Sequence, residues 1–203
     1  MNIDSKLTLS DEEQQLVHNT HWILTKRVII EKAGALLGTL SEAFKTQVAN
    51  SKQSLPLAVL HTTPKIARGE NYRQLPYVLL DYPRQFTGPD IFAVRTMFWW
   101  GNFFSITLLI SGVYKDMFAQ QLLKNLIVND AGYFICINKS QWHHHFEDDN
   151  MVPVKARSEQ EIRDIIEQKE FIKIAIKFPL HQWNEANILL EESFKKIIGL
   201  LNT

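Results

Sequence analysis

The chain has 203 residues, 45% hydrophobic and 22% charged, a composition that excludes a disordered chain and suffices for one sizeable core. Its 22 basic residues balance 22 acidic ones, so the basic excess of a nucleic-acid binder is missing and no nucleic-acid partner is expected. Cys136 is the only cysteine, which excludes an intrachain disulfide.

The first residues carry Asp4, Asp11, Glu12 and Glu13 without an early apolar run. That is unlike a secretory signal, and the expected location is a reducing cytoplasm. Ser10 with Glu13 forms a capping box, which satisfies two orphan amides and starts a helix. Val17, His21, Leu24 and Val28 recur at helical spacing, and Leu37, Leu40, Phe44 and Val48 resume it up to Asn50. Gly34 and Gly38 loosen the run, so one bent helix or two helices joined near Gly38 are expected. Residues 50–54 read as a polar linker. Residues 57–60 predict a strand, 65–76 a polar loop and 77–82 a second strand, after which Pro83, Gly88 and Pro89 keep the chain irregular.

The densest apolar surface follows, over 91–112. Two β-branched and aromatic runs flank Gly101 and Asn102, which predicts a hairpin with those two residues as its loop. Trp100 then opposes Phe103, Trp99 opposes Phe104 and Val94 opposes Leu109. One face would carry Arg95 among apolar residues, and the other Thr96, Ser105 and Thr107. Arg95, Gly101 and Asn102 inside this stretch argue against a membrane span, and no membrane is expected.

A helix is predicted over about 116–128 and a strand over 133–138, before an irregular stretch with Trp142, three histidines and acids to Asp149. Ser158 and Glu161 make a second capping box, opening a helix with Ile162, Ile165 and Ile166. Over 171–178 isoleucines alternate with Lys173 and Lys177, the pattern of a strand with one wet face. A last helix is expected over about 182–201. Adjacent strands without helices between them favour antiparallel pairing. The predicted class is α+β: a mostly antiparallel sheet of about five or six strands with a central aromatic hairpin, packed by N- and C-terminal helices. It forms a single domain over 1–203, with a helical segment at 1–50 and the α+β core at 55–203.

Three short runs, Arg68-Gly69-Glu70-Asn71-Tyr72, Leu79-Leu80-Asp81-Tyr82-Pro83-Arg84 and Phe98-Trp99-Trp100-Gly101-Asn102, resemble an uncharacterised family of bacterial hypothetical proteins. The resemblance covers about a quarter of the chain, within 65–112. It implies a bacterial cytoplasmic protein and carries no activity, cofactor or site residue with it.

Two clusters could carry chemistry. His143, His144 and His145 precede Glu147, Asp148 and Asp149, and imidazole with carboxylate suits zinc and similar metals. In an extended chain His143 and His145 share a face and are the expected ligands, with help needed from His61, His181 or the pair His18 and His21. Arg68, Arg73, Arg84 and Arg95, with Tyr72 and Tyr82, surround the hairpin and offer donors suited to carboxylate or phosphate. Arg95 needs a polar cavity or a salt bridge to Asp81, Asp90 or Glu70, since an unpaired buried charge costs several kcal/mol. At the hairpin tip, Trp99, Trp100, Phe103 and Phe104 are either a partner surface or buried packing.

No phosphate loop, nucleophile elbow, paired-cysteine zinc spacing or dinucleotide fingerprint occurs. The expected function is binding of a small anionic or amphipathic ligand, or of a protein partner, through the arginine-bearing loops. The alternatives are a metal-dependent enzyme using His143–His145 and the acidic loop, or an interaction protein without a small-molecule site. No cofactor and no oligomeric state is implied.

Overall fold

The computed structural model describes residues 7–51, 53–129 and 132–202. In chain order the elements are α1 (Asp11–His18), α2 (Thr20–Asn50), α3 (Leu57–Leu60), β1 (Lys65–Tyr72), β2 (Leu75–Thr87), β3 (Asp90–Trp99), β4 (Phe103–Ser111), α4 (Val113–Val128), β5 (Phe134–Cys136), β6 (Met151–Pro153), α5 (Glu159–Gln168), β7 (Phe171–Pro179) and α6 (Ala186–Gly199). The seven strands form one open sheet in the order β1-β2-β3-β4-β7-β5-β6, every neighbouring pair antiparallel. The class is therefore α+β, with the aromatic hairpin at the centre. Among the described residues no helix is long and apolar enough to cross a membrane.

The sheet has two different faces. One carries Phe92, Val94 and Phe98 of β3 with Ile106, Leu108 and Ile110 of β4, all buried against α2, α4 and α6. Phe44 of α2 stacks on Phe194 of α6, ring centroids 3.9 Å apart, over the middle of this core. Removing either ring would cost about 3–5 kcal/mol. The other face is covered by the long loop over 137–150.

Both predicted capping boxes form, at Ser10 with Glu13 and at Ser158 with Glu161. The first helix breaks at Asn19, whose side chain accepts from the Trp22 amide at 3.0 Å, and not at Gly38. α2 runs unbroken through both glycines. A Cβ at position 34 would lie 2.9 Å from Arg68 Nη2, so Gly34 makes room for that guanidinium.

Several expectations fail for identifiable reasons. The run at 57–60 is a short helix, because a four-residue apolar run has no period to separate helix from strand. The polar stretch from Lys65 is an edge strand, paired with β2 through a tight reversal at Arg73 and Gln74, both at positive φ (50° and 66°). Neither residue is the Gly or Asn that ordinarily signals such a turn, and an edge strand is charged because it faces solvent. β2 continues through Pro83 with a bulge between Asp81 and Arg84, where a strand interior would not accept proline. β6 was not anticipated, three residues being too few to show alternation.

The central hairpin reverses around Gly101 (φ 70°), as expected, but with a loop of three residues. Trp99 therefore pairs with Phe103, Phe98 with Phe104 and Val94 with Leu108. That shift of one residue moves all of β4 to the opposite face from the one expected. Arg95 now lies beside Thr107, its register partner, and on the same face as Ser105. Thr96 turns into the helix-side core, fully buried with its hydroxyl unpaired. The wet face expected for 171–178 holds at the exposed Lys177 and fails at Lys173, which is only 2% exposed because the loop over 137–150 lies on it.

Candidate functional site

Register places a row of side chains across the loop-covered face. Asp81, Arg95, Thr107 and Ala175 are successive partners through β2, β3, β4 and β7, and one step along lie Ala93, Leu109 and Lys173. Asp81 takes Arg95 in a two-pronged pair, Nε to Oδ1 at 2.7 Å and Nη2 to Oδ2 at 2.8 Å. The salt bridge expected as one alternative for Arg95 is thus present. Both ends are largely sheltered, so removing Asp81 alone would strand a buried cation at a cost of about 3–5 kcal/mol.

The remaining prong of Arg95, Nη1, donates to His144 Nε2 at 2.9 Å. Guanidinium has hydrogens and no acceptor, so His144 must accept at Nε2 and carry its proton at Nδ1. Burial, followed by the nearby charges of Lys173 and Arg95, holds the His144 pKa well below the usual imidazole value. The hydrogen bond and the electrostatics therefore agree on a neutral ring.

Lys173 reaches the covering loop from beneath. Its ammonium donates to the carbonyl of Gln141 at 2.9 Å and to that of His143. No carboxylate pairs with it among the described residues. Burial is the main reason its pKa falls to about 8, with Arg95 adding repulsion and Cys136 opposing the shift. Between Lys173, Arg95, Thr107 and the loop residues Trp142 and His144 lies a cavity of about 20 Å³, room for one water-sized group. Ala93 and Leu109 give it an apolar wall.

A second network adjoins it. The Tyr72 hydroxyl accepts from the backbone amides of His144 (2.6 Å) and His145 (3.1 Å), and sits 3.2 Å from His145 Nδ1. With two amides donating to its oxygen, the hydroxyl gives its own proton to Nδ1, which leaves the His145 proton on Nε2. That nitrogen faces Asp149 Oδ1 at 3.2 Å and Glu147 Oε2 at 4.0 Å. One ligand atom each from His145, Glu147 and Asp149 lies within 4.8 Å of the others, the group best arranged to hold a metal. Arg73 pairs with Glu147 at 2.5 Å and ties the β1-β2 turn to the loop.

The expected site residues are not gathered in one place. Arg95 lines the cavity, while Arg73 and Tyr72 hold the loop's outer end. Arg68 lies over Gly34 on the helix side, and Arg84 donates to the Thr63 carbonyl at 3.3 Å. Tyr82 is buried in the helix-side core, and burial raises its pKa. His145 belongs to the carboxylate cluster, whereas His143 is exposed with its ring centroid 5.4 Å from that of His145. His18, His21, His61 and His181 are all exposed and stand outside that cluster. Of the aromatic tip, Trp99, Phe103 and Phe104 are buried, so it is packing.

Sequence reasoning missed Lys173 and His144. Alternation marked Lys173 for solvent, and spacing favoured the histidines on either side of His144. The one available signal was length, since a structureless connection as long as 137–150 is uncommon unless it has work to do.

Fold and site together define an α+β protein with a single antiparallel sheet whose free face is closed by a histidine-bearing loop over two cations. No family model, curated protein or solved structure matches the chain.

Proposed function

We propose that the protein binds a small anionic ligand, a carboxylate with a short apolar part, between the sheet and the loop over 137–150, the loop lifting to admit it because the space beneath it now holds only one water-sized group. The observation that carries this reading is charge: Lys173 lines the cavity with no carboxylate partner among the described residues, and the neighbouring carboxylate, Asp81, is committed to Arg95. A buried ammonium held only by carbonyls is costly, and an anion beside it recovers that cost. Thr107 and the Nδ1 proton of His144 supply further donors, while Ala93 and Leu109 accept the apolar part.

Thermal-shift titration with short-chain carboxylates and inorganic phosphate tests it. A ligand at about 100 times its Kd adds about 2.7 kcal/mol of stability, a shift of several degrees. Lys173→Met abolishes that shift and leaves Arg95 paired with Asp81. No shift in the parent, or the same shift in Lys173→Met, overturns the reading.

The convergence of His145, Glu147 and Asp149 favours a second reading, a divalent cation on the loop's outer end. It requires the Nε2 proton of His145 to leave and Glu147 to be shared with Arg73. Stabilisation by zinc or manganese that His145→Ala removes supports it, and the absence of any metal-induced shift rejects it.

A further inference from the structure

Residues 7–28 form an arm that the rest of the described fold leaves largely uncovered. α1 buries none of its residues, and along α2 packing against the core begins with the half-buried Ile29 and Ile30, full burial following at Ala33. Lys26, paired with Glu70 of the edge strand at 2.6 Å, marks where the arm leaves the sheet. Yet the arm is apolar: Leu16 and Val17 on α1, and Trp22, Ile23, Leu24 and Val28 on α2, are 46–67% exposed. At 3.6 residues per turn, Trp22 and Ile23 continue the buried stripe of Ala33, Leu37 and Leu40, whereas Leu24 and Val28 lie on the opposite side. A helix apolar on both sides belongs inside something.

The amount of surface and its charges select the occupant. Taken over both sides of the arm and with Leu7 and Leu9 added, the exposed apolar residues offer on the order of 800 Å², the share one partner gives to a standard interface. Asp11, Glu12 and Glu13 open the arm, and at its other end the exposed Arg27 and Lys32 outnumber one exposed acid, Glu31. Acidic at one end and basic at the other, the arm complements a copy of itself laid antiparallel, the self-matching contact of a twofold dimer. A lipid surface would ask for a basic polar face, and the acids beside Leu9, Leu16 and Val17 oppose it.

We infer that this arm is the interface through which two copies of the chain associate, antiparallel, each burying the other's apolar stripes. Sedimentation of the full chain from about 1 to about 100 µM, the weak end of what such an area supports, gives a species of twice the 23.6 kDa chain mass. The double variant Leu24→Glu, Val28→Glu sediments as a monomer with the parent's circular dichroism, since both positions are exposed. Reversing Asp11, Glu12 and Glu13 to Lys weakens the dimer, and reversing Arg27 and Lys32 to Glu in the same chain restores it. A monomer throughout that range overturns the inference, as does a dimer that survives the Leu24→Glu, Val28→Glu change. Flotation of the parent with phosphatidylglycerol vesicles while it sediments as a monomer overturns it in favour of a membrane.

Discussion

Burial in one cavity pushes the pKa values of Lys173 and His144 both downward, and each leaves its mark on stability in its own pH window. The Lys173 ammonium has a pKa of about 8 against 10.5 for an ordinary lysine, chiefly through burial. Between those two values the unfolded chain holds a proton that the folded chain has released, so stability rises with pH through that window. Below it, the folded protein carries the full cost of a buried charge. Lys173→Met should flatten urea-melt stability between about pH 8 and 10.5 and raise it at pH 7 by roughly 1–3 kcal/mol. For His144, held well below its usual 6.5 by burial first and then by Lys173 and Arg95, the unfolded chain takes up the proton first. Stability should therefore fall as pH drops below 6.5, and His144→Gln, which keeps an acceptor for Arg95, should flatten that limb. A parent with no slope in either window contradicts the electrostatics. The pairing of Arg95 with Asp81 was legible in advance, since an arginine in an apolar strand demands a partner. Lys173 was not, because alternation reports which side of a strand a residue takes and says nothing about what covers that side.

At the scale of elements, backbone conformation decides what sequence pattern leaves open. Gly112 joins β4 to α4 at a positive φ of 56°, and a Cβ there would lie 2.0 Å from Asp90 Oδ1, the atom that accepts from the Val113 amide at 2.9 Å. Gly112→Ala should cost about 2–4 kcal/mol in a urea melt, through strain and loss of that hydrogen bond; a loss under about 0.5 kcal/mol would show that the junction yields. Long periodic elements were readable: both capping boxes, the course of α2 up to Asn50 and the two halves of the central hairpin lie where expected, whereas the break at Asn19 gave no apolar signal. The hairpin's register was not, because Gly101 serves a loop of two residues or of three equally well. β1 was hidden by its polarity and by a turn at Arg73 and Gln74 that lacks the usual glycine.

For the whole molecule, α2 and α6 seal the same sheet face, and Phe44 against Phe194 joins the N-terminal helical segment to the core over 55–203. Calorimetry should therefore record one cooperative transition whose calorimetric and van't Hoff enthalpies agree. Two transitions would make the helical segment a separate folding unit. The cavity above the sheet is narrow, its roof fastened from below by Lys173 and Arg95 and at its rim by Tyr72 and Arg73. With room there for one water-sized group, a larger solute can sit beside the ammonium only if that roof lifts, and for such a solute the frequency of unlatching, and not the frequency of collision, would set how fast the space fills.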